Sequence, residues 1–357
     1  MSNLTNTNVN TFTTLIKPNI MINEVCEPVT KNITNLVLNT RKEIQSILEK
    51  KSKKKLFIVG PCSIHDIDAA KEYGSMLKNI ADKVKSSILV VMRVYFEKPR
   101  TTIGWKGLIN DPHLDNSFDV NEGLKQARNL LIYLNSIGMP CACEFLDVIT
   151  PQYISDLISW GAIGARTTES QVHRQMVSGM SMPVGFKNGT GGSLKLATDA
   201  VLSAQHSHCF MAINDYGEPS ICQTKGNPYC HIILRGGKMP NYDNNSVIKA
   251  NDLMEKSNIK KNIIIDCSHG NSNKNYEKQK VVLKNILEEK WNGNIESRNM
   301  NVIGVMIESN IYEGKQTLTN KDDLRYGVSI TDSCINIDET EQLLLDVYLK
   351  LTYTNKN

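Results

Sequence analysis

Short apolar runs of strand length recur from position 56 onward, and longer amphipathic or polar segments separate most of them. Continuous apolar runs that alternate with helix-length segments predict parallel strands covered on both faces. The predicted strands are 56–60, 87–96, 140–147, 161–166, 183–188, 208–215, 220–224, 231–237, 262–269 and 302–309. The predicted helices are 67–84, 120–137, 151–160, 193–204 and 274–290.

One pair of strands breaks this alternation. Segments 208–215 and 220–224 are joined only by the tetrapeptide YGEP, whereas a parallel crossover needs about a dozen residues. The short connection therefore predicts an antiparallel hairpin at about 208–224. The eight remaining strands favour a (β/α)8 TIM barrel with an inserted hairpin. A doubly wound open sheet is the alternative, but no G-x-G-x-x-G motif follows the first strand.

Composition limits the classes of partner and compartment. The net charge is +4 and the basic residues are dispersed, except for the run KKSKKK at 50–55, which is more typical of a solvated linker than of a nucleic-acid site. No apolar run approaches the roughly 18–20 residues of a membrane helix. The nine cysteines show no zinc-ribbon spacing, and no secretory signal precedes them. Free thiols and a cytoplasmic location are expected.

The C-terminal ends of the eight predicted barrel strands carry chemistry. Each of these ends carries a side chain that can bind a proton, a metal or an anion. A single charge after a strand usually marks only where the chain meets water, but barrel strands deliver their C-terminal ends to one rim. The residues at these ends are Cys62, Arg93, Glu144, Arg166, Lys187, Arg235, His269 and Glu308.

Half of these rim residues are cationic. Arginine presents a planar fork to carboxylate or phosphate, and lysine presents a point charge. Several such groups in one concave site indicate a substrate with more than one negative charge, and a phosphate plus a carboxylate fits best. The loop NGTGG at 188–192 precedes a helix and offers backbone N–H groups to a phosphate. The cations are Arg93, Arg166, Lys187 and Arg235.

The other rim residues offer metal ligands. Cys62, His269 and Glu308, joined by Asp332 in the segment SITDSC, form a mixed sulfur, nitrogen and oxygen set. Such a set suits a catalytic first-row divalent ion rather than a closed structural zinc site. A small buried thiol is an equally supported interpretation of Cys62 alone. A nucleophilic Cys62 with His65 as its base is a third interpretation, although the turn after Cys62 directs His65 toward the first helix.

Longer motifs carry a resemblance to a known family. From about residue 22 to about residue 351, the chain resembles the short-type, microbial class I 3-deoxy-D-arabino-heptulosonate 7-phosphate (DAHP) synthases. The motifs are long and occur in the family's order. They are GPCSIHD, MRVYFEKPRTTIGWKGLINDPHLDNSF, CEFLDVITPQY, GARTTESQVHRQ, PVGFKNGTGG, HIILRGG, DCSHGNSNK, GVMIESNIYEGKQ and YGVSITDSCI.

The resemblance implies a reaction and its substrates. Family members condense phosphoenolpyruvate with erythrose 4-phosphate and release phosphate, as the first step of the shikimate pathway. It implies a divalent metal held by Cys62, His269, Glu308 and Asp332, with manganese, iron, cobalt and zinc all compatible with this set. It also implies that Arg166, Lys187 and Arg235 clamp phosphoenolpyruvate, with Arg93 near its carboxylate.

The same resemblance implies catalytic roles. The loop Lys98, Pro99, Arg100 and Thr101 corresponds to the family's KPRT loop, which holds erythrose 4-phosphate. Lys98 is expected to give a proton to the developing alkoxide, while the metal polarises the aldehyde. A water held near Glu144 or Lys187 is expected to attack C2 of the former enol.

Regulation and assembly are further expectations from the family. An aromatic amino acid is expected to bind among Gln152, Val177, Ser181, Phe210 and Ala212. Residues 1–50 are expected to form an N-terminal arm and a leading helix that contact the effector or another subunit. Residues 51–357 are expected to form a single catalytic barrel that includes a regulatory hairpin at 206–226. The family suggests a homodimer or a homotetramer.

Three other functions are weighed against this one. A related synthase that uses a five-carbon aldehyde phosphate is disfavoured by the loop KPRTTIGWKG, which typifies users of the four-carbon substrate. A Schiff-base aldolase with Lys187 as nucleophile leaves the metal ligands without a role. A catalytically silent paralogue that only binds an aromatic amino acid predicts the loss of a ligand or clamp residue, and none is lost.

Overall fold

The computed structural model describes residues 4–292 and 300–354, and a closed parallel barrel forms its centre. The eight barrel strands follow one another in the order β1-β10-β9-β8-β5-β4-β3-β2, which confirms the predicted TIM barrel. They are β1 (Lys55–Gly60), β2 (Ile88–Arg93), β3 (Cys141–Glu144), β4 (Trp160–Ile163), β5 (Val184–Lys187), β8 (Cys230–Leu234), β9 (Ile263–Asp266) and β10 (Val302–Glu308). β6 (Cys209–Ile213) and β7 (Pro219–Gln223) form the separate antiparallel hairpin.

Helices surround the barrel. The first is a single turn, α1 (Pro18–Ile20), which continues into a π-helical turn, Met21–Val25. The others are α2 (Lys31–Leu48), α3 (Ile67–Val84), α4 (Val120–Ser136), α5 (Pro151–Ile154), α6 (Gln171–Ser178), α7 (Leu194–Gln205), α8 (Asn244–Lys256), α9 (Gln279–Glu289) and α10 (Ile337–Thr354). Short 3₁₀ turns occur at Ser155–Leu157, Tyr276–Lys278 and Lys321–Asp323.

Local chemistry sets the start of α3, immediately after the first rim residue. Oδ1 of Asp66 accepts hydrogen bonds from the backbone N–H groups of Asp68 and Ala69 at 2.9 and 3.0 Å. These bonds satisfy donors that lack a partner at a helix N-terminus. Tyr73 and Leu77 then place the apolar stripe of α3 in the core. Asp66 therefore fixes the helix start rather than contributing to the chemistry of Cys62.

Side chains fill the barrel, and α2 closes its N-terminal end. Ile44, Ile47 and Leu48 of α2 belong to the same buried cluster as the barrel residues Leu56 and Trp160. The side-chain amide of Asn262 also donates to the carbonyl of Leu48 at 3.1 Å. Because this end is plugged, the C-terminal mouth is where the barrel offers space for a site.

Two predicted helices are longer than the helices that the structure shows. Segment 151–160 forms only α5 and one 3₁₀ turn before β4 begins at Trp160. The guanidinium of Arg41 donates to the carbonyls of Ser155 and Ile158 at this point, and so competes with backbone N–H groups that would continue the helix. Segment 274–290 becomes an α-helix only at Gln279. Its start is delayed because Asn273 and Lys274 have left-handed φ angles of 53° and 59°.

The hairpin lies beside the barrel and contacts the N-terminal segment of its own chain. The N–H of Asn19 donates to the carbonyl of Asp215 in the hairpin turn at 2.9 Å. On the other side, the side-chain amide of Gln152 donates to the carbonyl of Ile213 at 3.1 Å. No helix among the described residues is long and apolar enough to cross a membrane.

His231 makes the fold sensitive to acid. Its Nε2 lies 3.1 Å from the indole nitrogen of Trp160, and its Nδ1 lies 3.1 Å from the carbonyl of Tyr229. Burial lowers the pKa of His231 to about 4, whereas unfolded histidine titrates near about 6.5. The unfolded state therefore takes up a proton first as the pH falls, and this contribution to stability is lost below about pH 6.5.

We expect the free energy of unfolding to fall by about 2 kcal/mol between pH 7 and pH 5 through His231 alone. His231→Gln keeps an acceptor for the indole of Trp160 and does not titrate, so it should remove that part of the pH dependence. Urea unfolding at the two pH values, for both proteins, measures the difference. An equal pH dependence in the variant would contradict the assignment.

Candidate active site

The C-terminal mouth of the barrel gathers the rim residues singled out in the sequence. Four of them are the last residues of their strands, and the rest lie within three residues of a strand end. The strand-terminal residues are Arg93 of β2, Glu144 of β3, Lys187 of β5 and Glu308 of β10. The others are Cys62, Arg166, Arg235 and His269, after β1, β4, β8 and β9. Closure of the sheet thus brings eight distant segments to one mouth.

Three of the predicted metal ligands lie together. The thiol of Cys62 and one carboxylate oxygen each from Glu308 and Asp332 are within 4.8 Å of one another. Cys62 and Glu308 are buried, and half of the Asp332 side chain is exposed. A sulfur and two carboxylates that converge on a partly open position fit a divalent first-row ion with room for a substrate oxygen.

His269 lies beside this cluster. Its Nε2 is 3.8 Å from Glu308 Oε1 and 3.9 Å from Asp332 Oδ2, and its Nδ1 is 2.8 Å from Asp266 Oδ2. A carboxylate behind an imidazole orients the opposite ring nitrogen toward a metal. The backbone of His269 has a φ of 54°, in the left-handed region that non-glycine residues rarely adopt. The turn thus holds His269 in a costly conformation that directs its ring to the cluster.

Electrostatics govern the thiol and its neighbours. Burial, reinforced by Glu308, raises the pKa of Cys62 to about 11, so the thiol is protonated at neutral pH until a metal displaces the proton. For Asp266, burial alone would raise the pKa, but His269 and Lys187 hold it well below its usual range. Burial would likewise raise the pKa of Asp332, but His269 and Lys98 lower it. Both carboxyl groups are therefore ionised at neutral pH.

Lys98 reaches the cluster of Cys62, Glu308 and Asp332 from the KPRT loop. Its ammonium lies 3.2 Å from the Cys62 thiol and 3.2 Å from the Cys62 carbonyl. Burial would lower its pKa, but the neighbouring Cys62, Glu144 and Glu308 side chains raise it. Lys98 is therefore a protonated amine directly beside the cluster.

Two buried cations lie deeper and are paired with carboxylates. Nη2 of Arg93 is 3.1 Å from Glu308 Oε1, and Nζ of Lys187 is 3.1 Å from Glu144 Oε2. Both cations also approach the ring of Tyr95, at 4.1 and 5.9 Å from its centroid. Nη1 of Arg93 is buried and has no partner within the described part of the chain. Burial without a full set of partners leaves a donor available to a ligand.

Tyr95 is a site residue that the sequence pattern did not reveal. It lies within the apolar run of the second predicted strand, where an aromatic side chain reads as core packing. The signal was its spacing, because Tyr95 is two residues beyond Arg93 and follows it on the same face of an extended chain. Burial raises the pKa of Tyr95 well above its usual value, so the ring faces the two cations as a neutral phenol.

The outer cations lack acidic partners. In residues 4–292 and 300–354, the guanidinium groups of Arg100 and Arg235 make no hydrogen bond or ion pair, and Arg166 donates only to the carbonyl of Pro99 at 3.3 Å. A cavity of about 260 Å³ adjoins one of them, Arg100, and Trp105 and Lys315 also line it. Positive charge without counterions beside a cavity is the electrostatic signature of an anion site.

Glu97 fixes the KPRT loop, and the sequence pattern did not single it out. Its buried carboxyl group accepts hydrogen bonds from the N–H groups of Leu146 and Asp147 at 3.3 and 3.2 Å, and from the hydroxyl of Thr150 at 3.2 Å. Burial raises the pKa of Glu97 to about 8. These bonds join the loop after β2 to the loop after β3, one residue before Lys98.

The residues predicted to bind an effector lie around the hairpin. Phe210 and Ala212 are half-buried on the inner face of β6, while Met211 between them is exposed. Gln152 reaches the same strand through Ile213. Val177 is buried near the end of α6, and the next residue, Ser178, contacts the hairpin through Thr224. Ser181 is exposed in the turn between α6 and β5.

Known proteins are similar to this chain in sequence and in fold. Residues 34–345 match the DAHP synthetase I family. The chain is 51% identical over 317 residues to the phospho-2-dehydro-3-deoxyheptonate aldolase, Phe-sensitive, of Escherichia coli (strain K12), which covers 89% of each chain. It is 50% identical over 316 residues to the Tyr-sensitive enzyme of the same strain, which covers 88% of this chain and 87% of that one.

A Trp-sensitive relative and a solved structure agree with this assignment. The Trp-sensitive enzyme of Shigella flexneri is 47% identical over 317 residues, which cover 89% of this chain and 90% of that one. The structure of the phospho-2-dehydro-3-deoxyheptonate aldolase from Francisella tularensis SCHU S4 superimposes with a TM-score of 0.92 at 46% identity, and covers 96% of this chain and 98% of that chain. The chain belongs to the DAHP synthetase I family, and it is a carbon–carbon bond-forming enzyme of that family.

Proposed function

We propose that this enzyme condenses phosphoenolpyruvate with D-erythrose 4-phosphate and water, giving 3-deoxy-D-arabino-heptulosonate 7-phosphate and phosphate. The observation that carries the proposal is the juxtaposition at one barrel mouth of a Cys62, Glu308 and Asp332 ligand cluster with cations that lack carboxylate partners. The names of the relatives support the same reaction. Two phosphorylated anions repel each other, so a site that binds both needs this excess of positive charge.

Phosphoenolpyruvate is assigned to the part of the mouth that carries Arg166, Arg235 and Lys187. Within the described residues Arg166 and Arg235 offer guanidinium groups without acidic partners, and Lys187 is the last residue of β5 at the same mouth. The unpartnered Nη1 of Arg93 supplies a buried donor for the carboxylate of the same substrate. Planar guanidinium groups bind phosphate and carboxylate through paired hydrogen bonds, which also fix the orientation of the enol.

The second substrate is assigned to the KPRT loop. Arg100 and Thr101 are exposed near the cavity at the barrel mouth and are proposed to bind its phosphate. Pro99 shapes the loop and connects it to Arg166 through its carbonyl. This placement directs the aldehyde toward Lys98 and the Cys62 cluster, where the carbon–carbon bond is to form.

The proposed metal site consists of Cys62, His269, Glu308 and Asp332. A bound divalent ion would act as a Lewis acid on the aldehyde oxygen. The mixed donor set suits manganese, iron, cobalt or zinc. Asp266 orients His269, and the amide of Gln279 brackets Glu308 by donating to its carbonyl at 2.9 Å and accepting from its N–H at 2.8 Å.

The same groups are proposed to give and accept the protons of the reaction. The methylene carbon of phosphoenolpyruvate attacks the aldehyde carbon, and the protonated amine of Lys98 gives a proton to the developing alkoxide. Water then adds to C2, and the C–O bond to phosphate breaks as the hemiketal collapses to the ketone. We assign the orientation of that water to Glu144 and Lys187, which are buried and 3.1 Å apart. Burial would raise the pKa of Glu144, but Lys187 and Lys98 lower it, which keeps the carboxylate ready to accept a proton.

Feedback inhibition by an aromatic amino acid is proposed at the hairpin. Phe210 and Ala212 are half-buried on β6, and Gln152 donates to the carbonyl of Ile213 on the same strand. Val177 precedes Ser178, which contacts Thr224 after the hairpin, and Ser181 is assigned to the same site. The relatives are named for sensitivity to phenylalanine, tyrosine or tryptophan. Gln152 follows the loop that Glu97 binds, so a ligand at the hairpin adjoins the segment that holds Lys98.

The proposal also covers assembly and compartment. Residues 1–50 are proposed to contribute contacts in a homodimer or homotetramer and at the effector site, and residues 51–357 to form the catalytic unit. The exposed apolar side chains of Leu4 and Phe12 in the N-terminal segment support such contacts. All nine cysteines are unpaired, which supports a cytoplasmic enzyme.

The alternative weighed in the sequence, a catalytically silent paralogue that only binds an aromatic amino acid, is disfavoured because the relatives are named as enzymes. It predicts that phosphoenolpyruvate is not consumed under any metal condition. The complete ligand and clamp set argues against it.

The first prediction concerns metal removal. The ultraviolet absorbance of phosphoenolpyruvate should decay only when erythrose 4-phosphate is present. The decay should stop after chelation and return with a single divalent ion. Arabinose 5-phosphate, a five-carbon aldehyde phosphate, is the substrate control and should support little decay. Borohydride should not trap a covalent adduct at Lys187. Decay that is indifferent to chelation would disprove the metal-dependent mechanism.

The second prediction separates Cys62 from its neighbour His65. Cys62→Ser should lower metal-dependent turnover by more than about 100-fold. Loss of a residue that only hydrogen-bonds to a metal ligand already lowers metal affinity or activity by about 10- to 100-fold. His65→Ala should lower turnover only a few-fold, because the imidazole makes no side-chain hydrogen bond within the described part of the chain. Metal content and thermal unfolding of each variant check that both fold. A large loss of turnover in His65→Ala together with a small loss in Cys62→Ser would disprove the assignment.

The third prediction concerns the hairpin. At millimolar concentration, one of phenylalanine, tyrosine and tryptophan should inhibit the purified enzyme. Phe210→Ala should raise the inhibitory concentration at least about 10-fold, because an aromatic contact with the effector is lost. Met211→Ala, on the exposed face of the same strand, is the matched control and should leave that concentration unchanged. Equal activity with and without all three amino acids would remove the regulatory proposal.

A further inference from the structure

Three buried asparagines connect the loops at the barrel mouth. Asn188 directly follows β5, Asn241 lies in the loop after β8, and Asn271 lies in the loop after β9. Their exposed fractions are 0%, 9% and 3%. We call these three residues the asparagine belt. None of them belongs to the metal cluster or the substrate clamp described above.

Asn188 uses the full bonding capacity of its amide. Its Nδ2 donates to the carbonyls of Gly189 and Gly236, both at 2.9 Å. Its Oδ1 accepts from the N–H of Arg235 at 2.8 Å and from the Nδ2 of Asn241 at 3.1 Å. A side-chain amide has two donor hydrogens and two acceptor lone pairs, and all four are used here.

Asn241 and Asn271 extend the belt to β9. Oδ1 of Asn241 accepts from the N–H of Gly236 at 2.7 Å, and its backbone N–H donates to Oδ1 of Asn271 at 2.8 Å. Nδ2 of Asn271 donates to the carbonyl of Leu234 at 3.0 Å and to that of Asp266 at 2.9 Å. Asp266 is the carboxylate behind His269.

The belt converges on the backbone that carries Arg235. Its side chains hydrogen-bond to the carbonyl of Leu234 and to the N–H of Arg235. They also bond to both the N–H and the carbonyl of Gly236. The carbonyl of Arg235 itself accepts a hydrogen bond from the N–H of Gly270. The loops also touch backbone to backbone, because a Cβ on Gly237 would lie 2.5 Å from the nitrogen of Gly192. A fixed main chain thus carries a guanidinium that has no partner within the described part of the chain.

We propose that the asparagine belt is a positioning device that preorganises Arg235 for the phosphate or carboxylate of phosphoenolpyruvate. The inference rests on the proposed function. An arginine on a loose loop would lose conformational entropy when it binds the anion, whereas one on a fixed backbone loses less. The belt therefore sets the affinity for this substrate, and no belt residue is assigned a part in the chemistry.

The bonding pattern specifies an amide at Asn188. Asn188→Asp keeps the size of the side chain and the acceptor for Arg235, but it turns an oxygen toward the carbonyls of Gly189 and Gly236. Two attractive contacts become repulsive, and the loop that carries Arg235 shifts.

The experiment compares Asn188→Asp with the same substitution at the opposite end of the barrel. Asn227 is also buried, with 3% exposed; its Nδ2 donates to the carbonyl of Met182 at 2.9 Å, and its Oδ1 accepts from the N–H of Tyr229 at 3.1 Å. Both variants should lose thermal stability. Only Asn188→Asp should raise the KM for phosphoenolpyruvate, by about 10-fold or more, with the KM for erythrose 4-phosphate and the metal content unchanged.

A direct binding measurement accompanies the kinetics. Phosphoenolpyruvate titrated into the metal-loaded protein, followed by tryptophan fluorescence, should bind Asn188→Asp more weakly by the same factor. If Asn188→Asp does not fold, Asn241→Asp replaces it, because that change makes only one side-chain contact repulsive, the one to Asn188, and keeps the acceptor for Gly236.

The outcomes distinguish the inference from the proposed function. Equal effects on both KM values, or an effect of Asn227→Asp on phosphoenolpyruvate binding like that of the belt variant, would overturn the inference alone. Unmodified protein that neither binds nor consumes phosphoenolpyruvate would overturn both. A selective loss of phosphoenolpyruvate affinity in the belt variant supports both.

Discussion

The pairing of β1 with β10 is the contact on which the site depends. Gly60 and Glu308 are register partners, and the N–H of Ser309 donates to the carbonyl of Gly60 at 3.0 Å. This pairing closes the barrel and brings Cys62 beside Asp332, 270 positions later in the chain. A Cβ on Gly60 would lie 3.0 Å from the backbone nitrogen and oxygen of Arg93. Glycine therefore lets β1 approach β2 at the point where the site begins.

The cations at the barrel mouth differ in their pairing according to how deeply they are buried. The buried cations Arg93 and Lys187 are paired with carboxylates, because an isolated buried charge would cost too much free energy. The outer cations Arg100, Arg166 and Arg235 have no carboxylate partner within the described residues. Water stabilises these groups until an anion replaces it. The same mouth can thus be stable without substrate and still attract two phosphorylated ligands.

Much of the fold was predictable because parallel barrel strands are apolar on both faces and form continuous runs. The hairpin was predictable from its short connection. The sequence pattern did not indicate α6, α8 and α10, because stripes such as Val247, Ala250 and Met254 in α8 are sparse and lie among polar residues. The sequence pattern also could not predict where α5 ends. A residue distant in sequence, Arg41, donates to carbonyls just beyond that end.

The sequence by itself determined which residue types stand at the strand ends, because position along a strand fixes which end of the barrel a side chain reaches. The identities of Cys62, Glu308 and Asp332 as metal-ligand types follow from their chemistry alone. Only the tertiary structure decided that Asp266 lies behind His269, that two cations approach the ring of Tyr95, and that Asn188 holds the backbone of Arg235. Those relations depend on distances and angles across separate strands, and the order of residues along one chain does not encode them locally.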